Sequence, residues 1–267
     1  MSDNHIILPL VSEMLREMAT VFRKFDIDFY LVGAIARDIH LSANDDLYSP
    51  RRTNDVDLAI TITNEAQYNE VMTALIGTGL FGPADHEPIK LIYKKGLEVD
   101  LLPFGAIEAS NRNVTLTNPT FVLNMPGFTE IYPFVSEHQI TEGQTVKVCT
   151  MEGIVLLKLI ANNDRPQRTK DVADIDHIIQ SYFQLNDDDI YMNHFDIMEF
   201  YETAENDYIQ LVCSRLIGRK MAILLKESPA LKLRVAGILA KKETPRWQAM
   251  LTGLEEENRI ENSPEIN

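Results

Sequence analysis

Residues 30–58 read YLVGAIARDIHLSANDDLYSPRRTNDVDL, and this stretch decides the fold. It continues the short strand Asp28-Phe29-Tyr30-Leu31-Val32, which reads as buried and is ended by Gly33. Ala34 to Leu41 then carries apolar residues at helical spacing. Residues 42–54 are polar, contain Pro50, Arg51 and Arg52, and predict a loop. From Asp55 to Thr63 the pattern alternates. Val56, Leu58, Ile60 and Ile62 fall on one side, and Asp55, Asp57, Ala59 and Thr61 on the other, which is a half-buried strand. Asp55 and Asp57, two residues apart on a strand, point to the same face. Two like charges there repel unless a cation sits between them.

Working outward, residues 6–25 space Ile6, Leu10, Met14, Met18, Phe22 and Phe25 as a helix, and Glu65 to Leu75 forms another. Ile89–Tyr93 and Leu97–Leu102 are two strands joined at Lys94-Lys95-Gly96. On the second, Glu98 and Asp100 share the polar face between Leu97, Val99 and Leu101. Ile131–Phe134 and Val146–Cys149 predict two more strands. After Thr150 the chain turns helical: 151–162, a break at Pro166, then 169–183, 188–201, 205–226 and 229–241. The expected organisation is an α/β domain over 1–150 with a short mixed sheet and helices on one side. A mostly α-helical domain over 151–253 follows, and then a flexible acidic tail over 254–267.

Composition narrows the function. Forty acidic residues against 25 basic ones give a net charge of −15 over 267 residues. Such a surface repels nucleic acid and anionic membrane at long range, yet leaves room for a local phosphate pocket. No run approaches the ~20 apolar residues of a membrane span, and the N-terminal stretch lacks the pattern of a secretory signal. A cytoplasmic protein without membrane contact is expected. Cys149 and Cys213 lie far apart and predict two reduced, buried thiols. The histidines are scattered without ligand spacing, and no Walker loop or Ser/His/Asp signature is present. Trp247 is expected to pack, and Asp187-Asp188-Asp189 to be a solvated helix start.

Three carboxylates converging from neighbouring strands suit a hard octahedral cation such as Mg²⁺. A glycine at a strand-to-helix turn lets backbone approach a ligand closely, and the helix N-terminus behind it favours an anion. Together the glycine turn, Asp55-Val56-Asp57 and the later Asp100 resemble the nucleotidyltransferase superfamily of the DNA polymerase β type. Residues 30–38 with 55–58 look like the head of its CCA-adding and poly(A) polymerase branch, whose usual form is Gly-Gly-x-x-Arg-Asp followed by Asp-x-Asp. Ala34 stands in place of the second glycine, and the serine that follows the glycine in many members is absent. The stretch from Lys158 through Ala161, Asp164, Arg165 and Arg168 to Lys170-Asp171-Val-Ala-Asp174 is similar to the second motif of the AbiEii/AbiGii-type toxin nucleotidyltransferases. Lys158 emerges from an otherwise apolar helix and needs an anionic partner, a triphosphate or a carboxylate. Asp171 alternatively complements the helix dipole, and Asp174 alternatively pairs with Arg165 or Arg168.

The resemblance implies a metal-dependent transfer of a nucleoside monophosphate from an NTP to a hydroxyl of RNA or protein, and a possible toxin role with a cognate antitoxin as partner. It implies Asp55, Asp57 and Asp100 as ligands of Mg²⁺ or Mn²⁺, with Lys158 completing the catalytic set. Nucleotide contacts would come from Gly33, Ala34, Arg37, Arg52, Arg165, Arg168, Asp171 and Asp174. Two alternatives stand beside it: a catalytically silent nucleotidyltransferase fold that binds a nucleotide or a partner, and a tRNA-maturing, CCA-adding-like enzyme.

Overall fold

Alternating strands and amphipathic helices are built as those patterns dictate. The computed structural model describes residues 7–42, 55–85, 87–94 and 96–256. They divide into two compact units, one formed by 7–42 with 55–150 and the other by 151–256. The expectations on Ile6, on Arg51, Arg52 and Thr53, on Lys95 and on the tail beyond 256 fall outside the described residues.

In the first unit, α1 (Ile7–Phe22) buries Val11, Met14, Leu15, Met18, Val21 and Phe22 along one stripe. A short 3-10 turn ends at Asp26, whose φ of 54° returns the chain toward β1 (Phe29–Val32). Then come α2 (Gly33–Leu41), β2 (Asp55–Thr61), α3 (Glu65–Gly77), β3 (Phe81–Pro83), β4 (Lys90–Tyr93) and β5 (Leu97–Phe104). The hairpin β6 (Asn113–Thr117) and β7 (Thr120–Asn124), the turn α4 (Phe128–Ile131), β8 (Ser136–Thr141) and β9 (Gln144–Val148) complete the unit.

Seven of these strands make one mixed sheet in the order β3-β4-β5-β2-β1-β9-β8, and β6–β7 pair separately. The centre of the sheet is parallel where it matters: β2 runs parallel to β5, with Asp57 opposite Asp100 and Asp55 opposite Glu98. On its other side β2 is antiparallel to β1, with Asp57 opposite Val32. Val56, Leu58 and Ile60 are fully buried, as are Val99 and Leu101, so the alternation fixes which face the acids occupy. Asn64 caps α3 by accepting the Gln67 N–H at 3.0 Å. The buried Tyr68 hydroxyl donates to the Leu101 carbonyl at 3.3 Å, tying α3 to β5.

The structure corrects one expected strand. Residues 131–134 end α4 and continue as a 3-10 turn over Tyr132–Phe134. Gly127, at φ 102°, turns the chain, its N–H donates to Glu130 at 3.0 Å, and Pro133 removes a donor that a ladder would need. The strands β3, β6, β7 and β8 and the helix α9 below had not been expected.

The second unit consists of α5 (Met151–Asp164), α6 (Thr169–Asn193), α7 (Tyr208–Leu224), α8 (Pro229–Ala240) and α9 (Pro245–Glu255). Pro166 sits in the break between α5 and α6. The segment expected as a separate helix from 188 continues α6 past a bend at Asn186, then becomes a 3-10 helix over Phe195–Phe200. Helices α7 and α9 meet backbone to backbone. A Cβ on Gly218 would stand 2.1 Å from the Met250 carbonyl oxygen, and one on Gly253 would stand 1.9 Å from that of Arg215. Trp247 is buried, with the Lys242 ammonium 4.7 Å from its ring centre. Both cysteines are buried free thiols, and burial pushes that of Cys213 up to about 12. Among the described residues no helix is long and apolar enough to cross a membrane.

Candidate active site

The site of the first unit begins with a strand that cannot continue. Gly33 has φ +69°, a left-handed conformation that side chains disfavour, and there β1 becomes α2. The glycine is also demanded by space: a Cβ at this position would lie 2.1 Å from Asp57 Oδ2 and 3.0 Å from its Cγ. The missing side chain is therefore the room in which the Asp57 carboxylate sits, against the first turn of α2. The dipole of α2 favours negative charge there.

On the other flank of Asp57 stands Asp100, its partner across the parallel β2–β5 ladder. Neighbouring strands are ~4.8 Å apart, so the two residues lie side by side on one face. Asp55, exposed at the start of β2, and Glu98 form the next rung. Burial raises the Asp100 pKa from its ordinary value; the Lys90 ammonium opposes this, and Glu87 and Asp55 add to it. The Oδ1 atom of Asp100 is buried and accepts no hydrogen bond.

Lys90 had not been expected here. It lies opposite Asp100 in the antiparallel β4–β5 pair, so its side chain enters the acidic face. Its ammonium donates to Glu98 Oε2 at 2.5 Å and stands 3.5 Å from Asp100 Oδ1. Burial works against its charge, but its bond to Glu98 and the fields of Asp100, Glu98 and Glu87 raise its pKa. The same bond holds the Glu98 pKa below its usual value.

The donor set, oxygen only and anionic, is that of Mg²⁺ or Mn²⁺. Asp100 Oδ1, buried and accepting no hydrogen bond, is an oxygen donor of the kind such an ion takes. The side chains themselves are not gathered: among the described residues no three His, Cys, Asp or Glu side chains form a group that could hold a metal ion. Lys90, already bonded to Glu98, brings a positive charge onto this face.

In the second unit the cations and acids of the α5–α6 break satisfy one another. Lys158 Nζ donates to Asp174 Oδ2 at 2.7 Å and stands 3.5 Å from Asp171 Oδ1. Arg168 Nε donates to Asp171 Oδ2 at 3.0 Å. The Asp171 side chain is only 2% exposed, so these two cations carry most of its compensation.

A family model described as the nucleotidyl transferase AbiEii toxin of a type IV toxin–antitoxin system matches residues 18–264. The chain belongs to the AbiEii nucleotidyltransferase family. No curated protein matches it. Among solved structures it is similar to the antibiotic-resistance factor ANT(2'')-Ia, with 11% identity and a TM-score of 0.40 over 80% of this chain and 95% of that one. It is also similar to the lincosamide antibiotic adenylyltransferase LnuA, solved with lincomycin bound, at 15% and 0.36 over 62% and 94%. A nucleotidyltransferase-like protein from Paracoccidioides brasiliensis gives 15% and 0.40 over 87% and 93%. Likenesses this loose say nothing about substrate.

For an AbiEii-family nucleotidyltransferase, the expected residues divide as follows. Gly33, Ala34, Asp55, Asp57 and Asp100 come together on one sheet face and its adjoining turn. Arg37, also expected at the phosphates, has a side chain only 1% exposed, and its Nε and Nη2 both donate to Asp38 Oδ1, at 3.0 and 2.9 Å. Lys158, Arg168, Asp171 and Asp174 gather within the second unit, where Arg165 is exposed. Asp189, from the acidic triplet, pairs with Lys220 at 2.8 Å.

Proposed function

We propose that this nucleotidyltransferase moves a nucleoside monophosphate from an NTP to an acceptor hydroxyl, with Asp55, Asp57 and Asp100 holding Mg²⁺ or Mn²⁺. The carrying observation is Asp57 set between Gly33, whose missing Cβ makes room for it, and Asp100, its partner on the parallel strand. Bound at these carboxylates, a divalent cation supplies positive charge to the triphosphate and to the leaving pyrophosphate. The chain's own groups do the rest. Backbone N–H groups at Gly33 and Ala34 present donors to phosphate oxygens. The Asp100 carboxylate, whose pKa burial raises, takes the proton of the acceptor hydroxyl. The acceptor oxygen bonds to the α-phosphorus as the bond from that phosphorus to pyrophosphate breaks. Lys158, with Arg165, Arg168, Asp171 and Asp174, is proposed to serve NTP binding.

The family description supports a toxin of a toxin–antitoxin or phage-defence pair with a cognate antitoxin as partner. The cytoplasm is the compartment that provides NTPs. A net charge of −15 makes a protein acceptor as credible as RNA. A second reading, a silent fold that binds nucleotide or a partner, is favoured by the ungathered carboxylates and the ammonium among them. The test incubates the protein with each α-³²P-labelled NTP, Mg²⁺, total tRNA and lysate protein. Label on RNA or on protein supports transfer and names the acceptor class and the base. NTP binding without label on either supports the silent reading.

A further inference from the structure

Four carboxylates share one face of β2 and β5, Asp55 beside Glu98 and Asp57 beside Asp100. The proposed transfer uses three of them. From β4, Lys90 singles out one of the two acids on β5. It lies opposite Asp100, only 14% exposed, yet its ammonium is bonded to Glu98 Oε2 at 2.5 Å. It remains 3.5 Å from Asp100 Oδ1 and 3.6 Å from Glu87 Oε2. Glu98 is thereby satisfied, while Asp100 Oδ1 accepts no hydrogen bond.

We propose that Lys90 is a positioning residue that selects Asp100 over Glu98 for the cation: it ties off the fourth carboxylate, and its charge sets how tightly the face takes a divalent ion. This rests on the reading of Asp55, Asp57 and Asp100 as metal-holding. The division explains why the strand carries Glu98 and Asp100 on one face without both being ligands. It also gives Glu98 and Asp100 a counter-charge whether or not a metal is bound, which limits their mutual repulsion.

The test is Mn²⁺ titration of the full chain followed by electron paramagnetic resonance, without nucleotide, in wild type, Lys90→Met, Lys90→Arg and Asp57→Asn. Removing one positive charge beside a divalent site, even with water-like screening, tightens binding roughly tenfold. Lys90→Met is therefore expected to bind Mn²⁺ about tenfold more tightly, with a lowered kcat because the freed Glu98 competes as a ligand. Lys90→Arg restores the wild-type affinity. Glu98→Gln keeps transfer, whereas Asp100→Asn loses it.

A cooperatively melting Lys90→Met that binds Mn²⁺ no more tightly than wild type overturns the role of Lys90. So does a Glu98→Gln variant as inactive as Asp100→Asn, and this second comparison decides the matter even if Lys90→Met does not fold. Equal Mn²⁺ binding by wild type and Asp57→Asn instead locates the failure in the metal assignment, and the role of Lys90 falls with it. Mn²⁺ binding lost in Asp57→Asn but unchanged in Lys90→Met overturns the role of Lys90 alone.

Discussion

Gly33→Ala is the sharpest single perturbation of this site, because the new atom has a known place to go. Its Cβ would stand 2.1 Å from Asp57 Oδ2, where nothing but displacement of the carboxylate relieves the overlap. The obstacle is a half-buried side chain rather than backbone, so the fold survives by rotating Asp57 away. The left-handed backbone at φ +69° adds about 1–2 kcal/mol for any residue with a Cβ. With the rotamer cost of Asp57, the total is about 1–3 kcal/mol. For a unit of this size that lowers the melting temperature by roughly 3–10 °C. The functional loss should be far larger than the stability loss. Displacing one ligand of a metal site by an ångström or more costs on the order of 10–100-fold in affinity. The assay measures melting by circular dichroism, Mn²⁺ affinity and label transfer on one preparation. A Gly33→Ala protein that keeps wild-type Mn²⁺ affinity and transfer while melting a few degrees lower would refute the argument. It would mean that Asp57 does not need the position beside α2.

Other outcomes follow from the same structure. Lys158→Met leaves the buried Asp171 and Asp174 without their shared cation and should cost the second unit roughly 3–5 kcal/mol in chemical denaturation. It should also weaken NTP binding more than Mn²⁺ binding, and equal NTP affinity by calorimetry removes Lys158 from nucleotide binding. Gly218→Ala drives a Cβ into the Met250 carbonyl, a backbone atom that cannot rotate away. Its denaturation midpoint should fall by the equivalent of ~3 kcal/mol or more, and an unchanged midpoint would mean that α7 and α9 do not cross there. Burial opposes ionisation of Asp28, but bonds from Lys147 and Tyr132 outweigh it and hold its pKa below the ordinary value. A lowered carboxylate pKa stabilises the fold above the unfolded value, and the benefit is lost as pH falls through the folded one. The melting-temperature gap between wild type and Asp28→Asn should therefore be level at neutral pH and close on acidification; a gap that widens in acid would reverse the sign.

Much of this was legible in the sequence, for identifiable reasons. Period-2 alternation in Asp55–Thr61 and Leu97–Leu102 sets the acids on one face. Gly33 after an apolar tripeptide marks the strand-to-helix turn. Lys158 in an apolar helix called for an anion and found Asp174. Lys90 was within reach as well: counting outward from Tyr93 opposite Leu97 in a tight hairpin places it opposite Asp100. The burial of Arg37 was not legible, because nothing local says that an arginine beside an aspartate turns inward. The apolar run 131–134 satisfies strand and helix patterns alike, and the decision came from Gly127 and Glu130 upstream. Strand β8, Ser-Glu-His-Gln-Ile-Thr, lacks an apolar alternation and is a strand because β9 pairs with it.

The central claim is that Asp57 serves the transfer and not the fold. Label transfer from an α-³²P-labelled NTP by wild type and Asp57→Asn, read beside their melting temperatures, tests it directly. Transfer abolished at an almost unchanged melting temperature is the expected result. An Asp57→Asn protein that melts far lower yet still transfers label would contradict it.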